Sequence, residues 1–117
     1  MWDRKLWDER RKHVPPPGIP WDDLVEETAQ SKAPSLYHLT YANSHARREL
    51  EFDCVTRGTQ IKEVPNSKRC FYKRMEQVVG ASEGKETFYV YAEWSISGAV
   101  HGRPISEDEL RKKGVKL

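Results

Sequence analysis

The sequence predicts an α+β fold in a single small domain. Stretches in which apolar and polar residues alternate, as in strands, are interspersed with stretches of helical spacing, all within 117 residues. Apolar residues make up 37% of the chain, and it contains four Trp, five Tyr and three Phe. This composition supports one modest core and argues against a disordered chain, while the length excludes a two-domain architecture or a large enzyme.

The sequence does not indicate a membrane protein or a secreted protein. No run of about 20 apolar residues is present. The first 13 residues lack the apolar stretch of a secretory signal. The two cysteines, Cys54 and Cys70, are too few for a disulfide framework. We therefore expect an intracellular protein with reduced thiols and no membrane association; the pattern does not distinguish cytoplasm, nucleus or organelle.

The first part of the chain predicts two helices separated by a proline-rich linker. Residues 1–14 place Trp2, Leu6 and Trp7 on one helical face. Residues 15–19 follow as a stiff linker, because consecutive prolines favour polyproline II and stop a helix. A second helix is expected to begin at Pro20, where the missing N–H costs nothing, and to run to about residue 32.

Residues 20–80 predict the core of the domain. Alternation predicts strands over residues 36–41, 49–56 and 60–64, which would form an antiparallel meander. Helical spacing predicts a helix over residues 68–79, capped by Asn66 or Ser67.

Residues 81–117 predict an extension of this core. Residues 87–97 form the most strand-like stretch of the chain, and a capping box of Ser106 and Glu109 predicts a short helix from about Glu107. Across the whole domain, we expect Phe52, Phe71, Met75 and Trp94 to be buried together.

Several motifs within residues 20–80 stand at the spacing found in one known family. They are Pro20, Leu24, Glu26 and Gln30 in the first helix, Pro34 and Tyr37 at the first strand, His45 in the loop after it, and Ser67-Lys68-Arg69 at the start of the last helix. The stretch therefore resembles a double-stranded RNA-binding domain. That resemblance implies an α–β–β–β–α order in which both helices cover one face of an antiparallel sheet.

The resemblance also implies a function. Duplex RNA is recognised by shape, through 2′-hydroxyls in the shallow minor groove and through phosphates. Glu26 and Gln30 would contact one minor groove, and His45, with Arg47 nearby, the next. Lys68, Arg69 and Lys73 would bind the intervening phosphates at the positive end of a helix. The implied function is a non-catalytic module for double-stranded RNA, without cofactor or metal.

The charge balance keeps a second class of function open. Residues 20–80 contain nine basic and nine acidic residues, so the core that resembles an RNA-binding domain is formally neutral. The same core could instead serve as a protein–protein interaction module, forming a homodimer or a heteromer. No Gly-rich phosphate loop or nucleophile motif is present, and the spacing of Cys54, Cys70 and the histidines fits no zinc site, so we expect neither an enzyme nor a metal protein.

Overall fold

A computed structural model describes residues 4–62 and 67–117 of the chain. The elements in chain order are β1 (Leu6–Trp7), α1 (Trp21–Glu27), β2 (Leu36–Tyr37), α2 (Ser44–Arg57), β3 (Thr59–Ile61), β4 (Lys68–Arg74), β5 (Gly80–Ser82), β6 (Lys85–Thr87), β7 (Tyr89–Ser95), β8 (Ala99–Ile105) and α3 (Glu107–Lys112), with 3-10 turns at Arg11–His13 and Leu39–Tyr41. The predicted α+β class is confirmed. No helix in the described part of the chain is long and apolar enough to cross a membrane.

The strands form two sheets. The larger has the order β1-β8-β7-β4-β3, in which β1 runs parallel to β8 and the other neighbours are antiparallel. The smaller is an antiparallel sheet of the order β2-β5-β6. The predicted strand over residues 87–97 is confirmed as β7, which lies at the centre of the larger sheet.

Helix α2 covers one face of the larger sheet, and α3 covers part of the other. Because successive side chains of a strand point to opposite faces, Val90, Ala92 and Trp94 of β7 face α2, whereas Tyr91 packs with Leu110 of α3. The two helices thus lie on opposite faces of this sheet. The expectation that helices from Pro20 and over residues 68–79 cover one face is wrong, because residues 68–74 form a strand and α1 packs on the smaller sheet.

The predicted core residues share one cluster beneath α2. Phe71 and Trp94 are buried in it, as expected. Phe52 and Met75 pack against the same cluster but are only partly buried. Cys54 is fully buried there too, but in a helix rather than in the strand that alternation predicted.

The two sheets meet where β5 approaches β8, and Gly80 permits this contact. A Cβ atom at Gly80 would lie 2.6 Å from Cγ of Pro104 and would clash with the carbonyl oxygen of Leu36. Pro104 is accommodated within β8 because β1 pairs only with Ala99 and Val100, so the missing N–H interrupts no ladder on that side.

The predicted α–β–β–β–α order of residues 20–80 is wrong. Residues 49–56, expected as a strand, belong to α2, and residues 68–74, expected as the start of a helix, form β4. The loop predicted to carry His45 is instead the N-terminus of α2, where the side chain of Asn43 accepts hydrogen bonds from the backbone N–H groups of His45 and Ala46. Of the expected meander, the first strand is found only over Leu36–Tyr37, as β2, and the third as β3. These two strands lie in different sheets, so the meander itself is not formed.

Two further expectations fail outside that region. Residues 4–14 contain β1 and a 3-10 turn instead of a helix. Residues 99–105, where the sequence predicts neither helix nor strand, form β8. Trp2, Asn66 and residues 63–64, which the sequence placed in a helix, a helix cap and a strand, lie outside the described residues.

Candidate functional site

A polar cavity bounded by the described residues has a volume of about 640 Å³. It lies between the turn that follows α1, the β5 end, β8 and the first turn of α3. Its lining consists of Lys12, His13, residues 28–35, Ser82, Glu83, Arg103 and Glu109. A cavity of this size is in the range of small-molecule sites, and its convergent polar groups make it the leading candidate site of the molecule.

The wall formed by residues 28–35 is held in place by hydrogen bonds to two elements. The hydroxyl of Thr28 donates to the carbonyl of Val25 at 2.6 Å and accepts from the backbone N–H of Gly84 at 2.9 Å. These bonds tie the end of α1 to the turn between β5 and β6. Lys32 adopts a left-handed conformation with φ of 67°, which bends the segment sharply before Pro34.

The opposite wall contains acidic groups whose charges already have partners. The guanidinium of Arg103 donates to both carboxylate oxygens of Glu109, at 3.1 and 2.5 Å. These bonds lower the pKa of Glu109 and keep it ionised. Ser106 caps α3 by accepting from the backbone N–H of Glu109 at 3.0 Å, which confirms the predicted helix start, and its hydroxyl donates to Glu83. The Glu109 carboxylate binds Arg103 instead of forming the reciprocal bond of a capping box.

His13 is the most distinctive group of the cavity. Its ring is only 4% exposed, and Nδ1 lies 2.7 Å from the backbone carbonyl oxygen of Ser35. Because a carbonyl oxygen can only accept, Nδ1 carries the hydrogen, and in the neutral ring Nε2 is a bare acceptor. Nε2 has no hydrogen-bond partner among the described residues. It is therefore not fully buried, because every fully buried side-chain nitrogen or oxygen atom in that part of the chain has such a partner.

The charge around His13 favours its neutral form. Burial, opposed by the bond to Ser35 and assisted by the positive charges of Lys12 and Arg103, lowers the pKa of His13 from 6.5 to about 4. The lining contains three cations, Lys12, Lys32 and Arg103, against two carboxylates. Lys12 and Lys32 form no ion pair with a described carboxylate. The cavity therefore combines positive charge with an imidazole acceptor.

A second polar cluster spans β4, β7 and β8 of the larger sheet, but its groups form hydrogen bonds and ion pairs with one another. Nε2 of His101 lies 3.2 Å from Glu93, and Glu93 also accepts from Tyr91 at 2.6 Å and from Lys68 at 3.0 Å. The hydrogen bond from His101 is the main reason why the pKa of Glu93 falls well below its usual range. Nδ1 of His101 lies 3.8 Å from Asp8. These bonds link β4, β7 and β8, so we interpret the row as a bracing network between strands.

A third polar group is buried beneath α2. Glu51 is 2% exposed and accepts hydrogen bonds from Tyr37 at 2.6 Å and from the indole of Trp7 at 2.9 Å. Burial raises the pKa of Glu51, and these two bonds offset part of the rise. This carboxyl group of α2 thereby holds β1 and β2 to the helix.

The predicted minor-groove residues lie on different parts of the surface. Glu26 is exposed on α1. Gln30 lines the His13 cavity. His45 is exposed in the first turn of α2, 4.0 Å from Glu49, and not in a loop between strands. His45 thus lies on a different element from Glu26 and Gln30, which stand at the end of α1 and in the turn that follows it.

The predicted phosphate-binding cations are largely engaged in ion pairs. Arg47 is 2% exposed and binds Glu9 and the carbonyls of residues 41 and 42. Lys68 pairs with Glu93, and Lys73 with Asp53. Arg69 is half-buried and, by strand alternation, lies on the opposite face of β4 from Lys68. Binding of double-stranded RNA by these residues stays a prediction.

Sequence reasoning missed His13, Lys12, Arg103 and Glu109 as members of one site. Residues 12–13 were assigned to a helix, and Glu109 was noted only for its capping role. No periodicity or motif connects His13 with Arg103, which is 90 positions away. Comparison with protein-family models, with curated proteins and with solved structures finds no match to this chain.

Proposed function

We propose that this protein is a non-catalytic binding protein for a small polar ligand that carries an acidic group and a hydrogen-bond donor. The observation that carries the proposal is the accessible, unprotonated Nε2 of His13 in a polar cavity of about 640 Å³. The volume fits a ligand of metabolite size.

The ligand chemistry follows from the groups that still have free hydrogen-bonding capacity. Nε2 of His13 can only accept, so it selects a ligand N–H or O–H. Lys12 and Lys32 have no acidic partner in the described chain, and Arg103 has three further donor hydrogens besides the two bonded to Glu109. These cations favour a carboxylate or phosphate at the other end of the ligand.

Binding is favoured over catalysis by the same geometry. A pKa of about 4 makes His13 a weak base at neutral pH, far from the value near the operating pH that suits a general base. The nearby hydroxyls of Thr28 and Ser106 already donate to Val25 and Glu83. Among the described residues, the one hydroxyl bonded to the His13 ring is that of Ser35, 3.3 Å from Nδ1. Since Nδ1 carries the hydrogen that is donated to the Ser35 carbonyl, it cannot act as the base that activates this hydroxyl.

The experiment is an NMR titration of protein labelled with ¹⁵N in its histidine rings. The titrants are lactate, serine, phosphoserine, inorganic phosphate and adenosine monophosphate, which vary the acid and the donor separately. We expect a compound that has both groups to shift the ring nitrogens of His13 in a saturable manner and to leave those of His45 unchanged.

A matched pair of variants tests the assignment. In His13→Asn, the side-chain amide can still donate to Ser35 but has no equivalent of Nε2, so binding should be lost while the fold is kept. His45→Asn changes an exposed histidine outside the cavity and should bind as the unmodified protein does. Equal binding by His13→Asn, or ligand-induced shifts confined to residues outside the cavity, would overturn the proposal.

A further inference from the structure

A groove runs along the outer edge of β3, on a different part of the molecule from the His13 cavity. Its volume is about 340 Å³, and it is lined by residues 59–62, Tyr72 and residues 113–116. Strand β3 is the last strand of the larger sheet, and within the described residues it pairs only with β4. Its outer side therefore offers backbone donors and acceptors to an additional strand.

All charged groups that line this groove are positive. Lys62, Lys113 and Lys116 are exposed, and none forms an ion pair with a described carboxylate. Nζ of Lys113 lies 5.0 Å from the ring centre of Tyr91, so a cation–π contact, and not an ion pair with a carboxylate, positions this charge. Elsewhere in the described chain, cations such as Lys68, Lys73 and Arg103 are neutralised by carboxylates.

The floor of the groove is apolar. Ile61 and Val115 are buried in the same hydrophobic cluster, and Tyr72 packs against that cluster. An occupant with alternating side chains could place apolar groups on this floor and direct acidic groups toward the lysines, since a strand presents its side chains on two faces.

We propose that an acidic segment of a partner protein docks in this groove in extended conformation and adds a strand to the β3 edge. Strand addition uses main-chain hydrogen bonds for affinity and the alternating side chains for specificity. The open backbone edge and the apolar floor favour a polypeptide over a nucleic acid, which would use the lysines but not the strand edge. The lysine charges specify that the segment is acidic.

The test is a fluorescence-anisotropy titration with a labelled ten-residue peptide of alternating glutamate and valine. We expect saturable binding that weakens with salt. The variant K62Q/K116Q should bind the peptide about tenfold more weakly, as expected for two exposed ion pairs. The control R48Q/K85Q also removes two exposed positive charges, but outside the groove, and should bind as the unmodified protein does.

Two further probes separate strand addition from simple charge attraction. The same peptide with N-methyl groups at alternate positions keeps its charge but loses the edge-facing donors, so it should not bind. A 16-base-pair RNA duplex should bind more weakly than the peptide. Equal binding of the N-methylated peptide, an unchanged affinity in K62Q/K116Q, or tighter binding of the RNA duplex would overturn the proposal.

Discussion

Replacing His13 by Asn should make the free energy of unfolding decrease less steeply as the pH falls below 6.5. In the folded protein the pKa of His13 is lowered from 6.5 to about 4 because the ring is buried. Above pH 6.5 the ring is neutral in both the folded and the unfolded state and contributes no pH dependence. As the pH falls below 6.5, the unfolded chain binds a proton that the folded protein does not, so stability decreases.

The size of the effect follows from the shift of the pKa. One pKa unit corresponds to about 1.4 kcal/mol, so the full difference approaches roughly 3 kcal/mol by pH 4. Below pH 4 the folded protein is protonated as well, and the difference levels off. Asn does not titrate in this range, and its amide can replace Nδ1 as the donor to Ser35. The free energy of unfolding of the unmodified protein, minus that of His13→Asn, should therefore fall by about 3 kcal/mol from pH 7 to pH 4.

The measurement is urea unfolding followed by tryptophan fluorescence at half-unit steps from pH 7.5 to pH 3.5. Other groups also titrate in this range: Glu93 and Glu109 have lowered pKa values, so the stability they provide is lost as the pH falls through their folded pKa. Because these groups are present in both proteins, their contributions cancel in the difference. A difference that stays constant with pH would refute the view that the ring of His13 is buried and neutral.

Substitutions at three positions test the core and its buried polar groups by the same unfolding assay. Arg47→Ala should cost about 2–4 kcal/mol, because it removes a fully buried side chain and leaves the carbonyls of Tyr41 and Ala42 without their donor, and a loss below about 1 kcal/mol would contradict this role. Glu51→Ala should cost roughly 2–4 kcal/mol by leaving the Tyr37 hydroxyl unsatisfied, whereas Glu51→Gln should restore most of it. Phe71→Ala should cost about 3–5 kcal/mol, since the ring is buried in the cluster beneath α2, and a small loss would place it at the surface.

Elements with a complete local signal could be predicted from the sequence. The short helix α3 begins at its Ser106 cap, and Glu109 occupies the third helical position, so the signal lies within four residues. Strand β7 alternates over its whole length and lies at the centre of the sheet, where one face must contact α2. In both cases local preference and tertiary environment favour the same structure.

Helix α2 was predicted as a strand because its buried face is partly charged. The residues that face the sheet include Arg47 and Glu51, whose partners are distant in sequence, so the helical apolar stripe is interrupted. Leu50, Phe52 and Cys54 meanwhile mimic the alternation of a strand. The helical period becomes visible only when the two buried charges are counted as inward-facing residues.

The opposite error at β4 has a related cause. Phe71, Met75 and Val79 are spaced as in a helix, but Met75 and Val79 bond to the backbone of Phe88 and Thr87 after the strand has ended. Their spacing therefore spans a strand and the loop that follows it. A single-sequence pattern cannot distinguish this arrangement from a continuous helix, because the distinction depends on pairing with a later segment.

The partition of charge explains why the net charge is a poor guide to the binding surfaces. The chain has 20 basic and 18 acidic residues, so its formal net charge is only +2. Many of the acidic groups neutralise cations across the sheet and beneath α2, and these pairs hold elements together. The cations without a described acidic partner include Lys12 and Lys32 at the His13 cavity and Lys62, Lys113 and Lys116 at the β3 groove. At these two places unpaired charge coincides with concave space, unlike at an exposed cation such as Arg48, and it is this coincidence, rather than the total charge, that favours our proposal of negatively charged ligands at both.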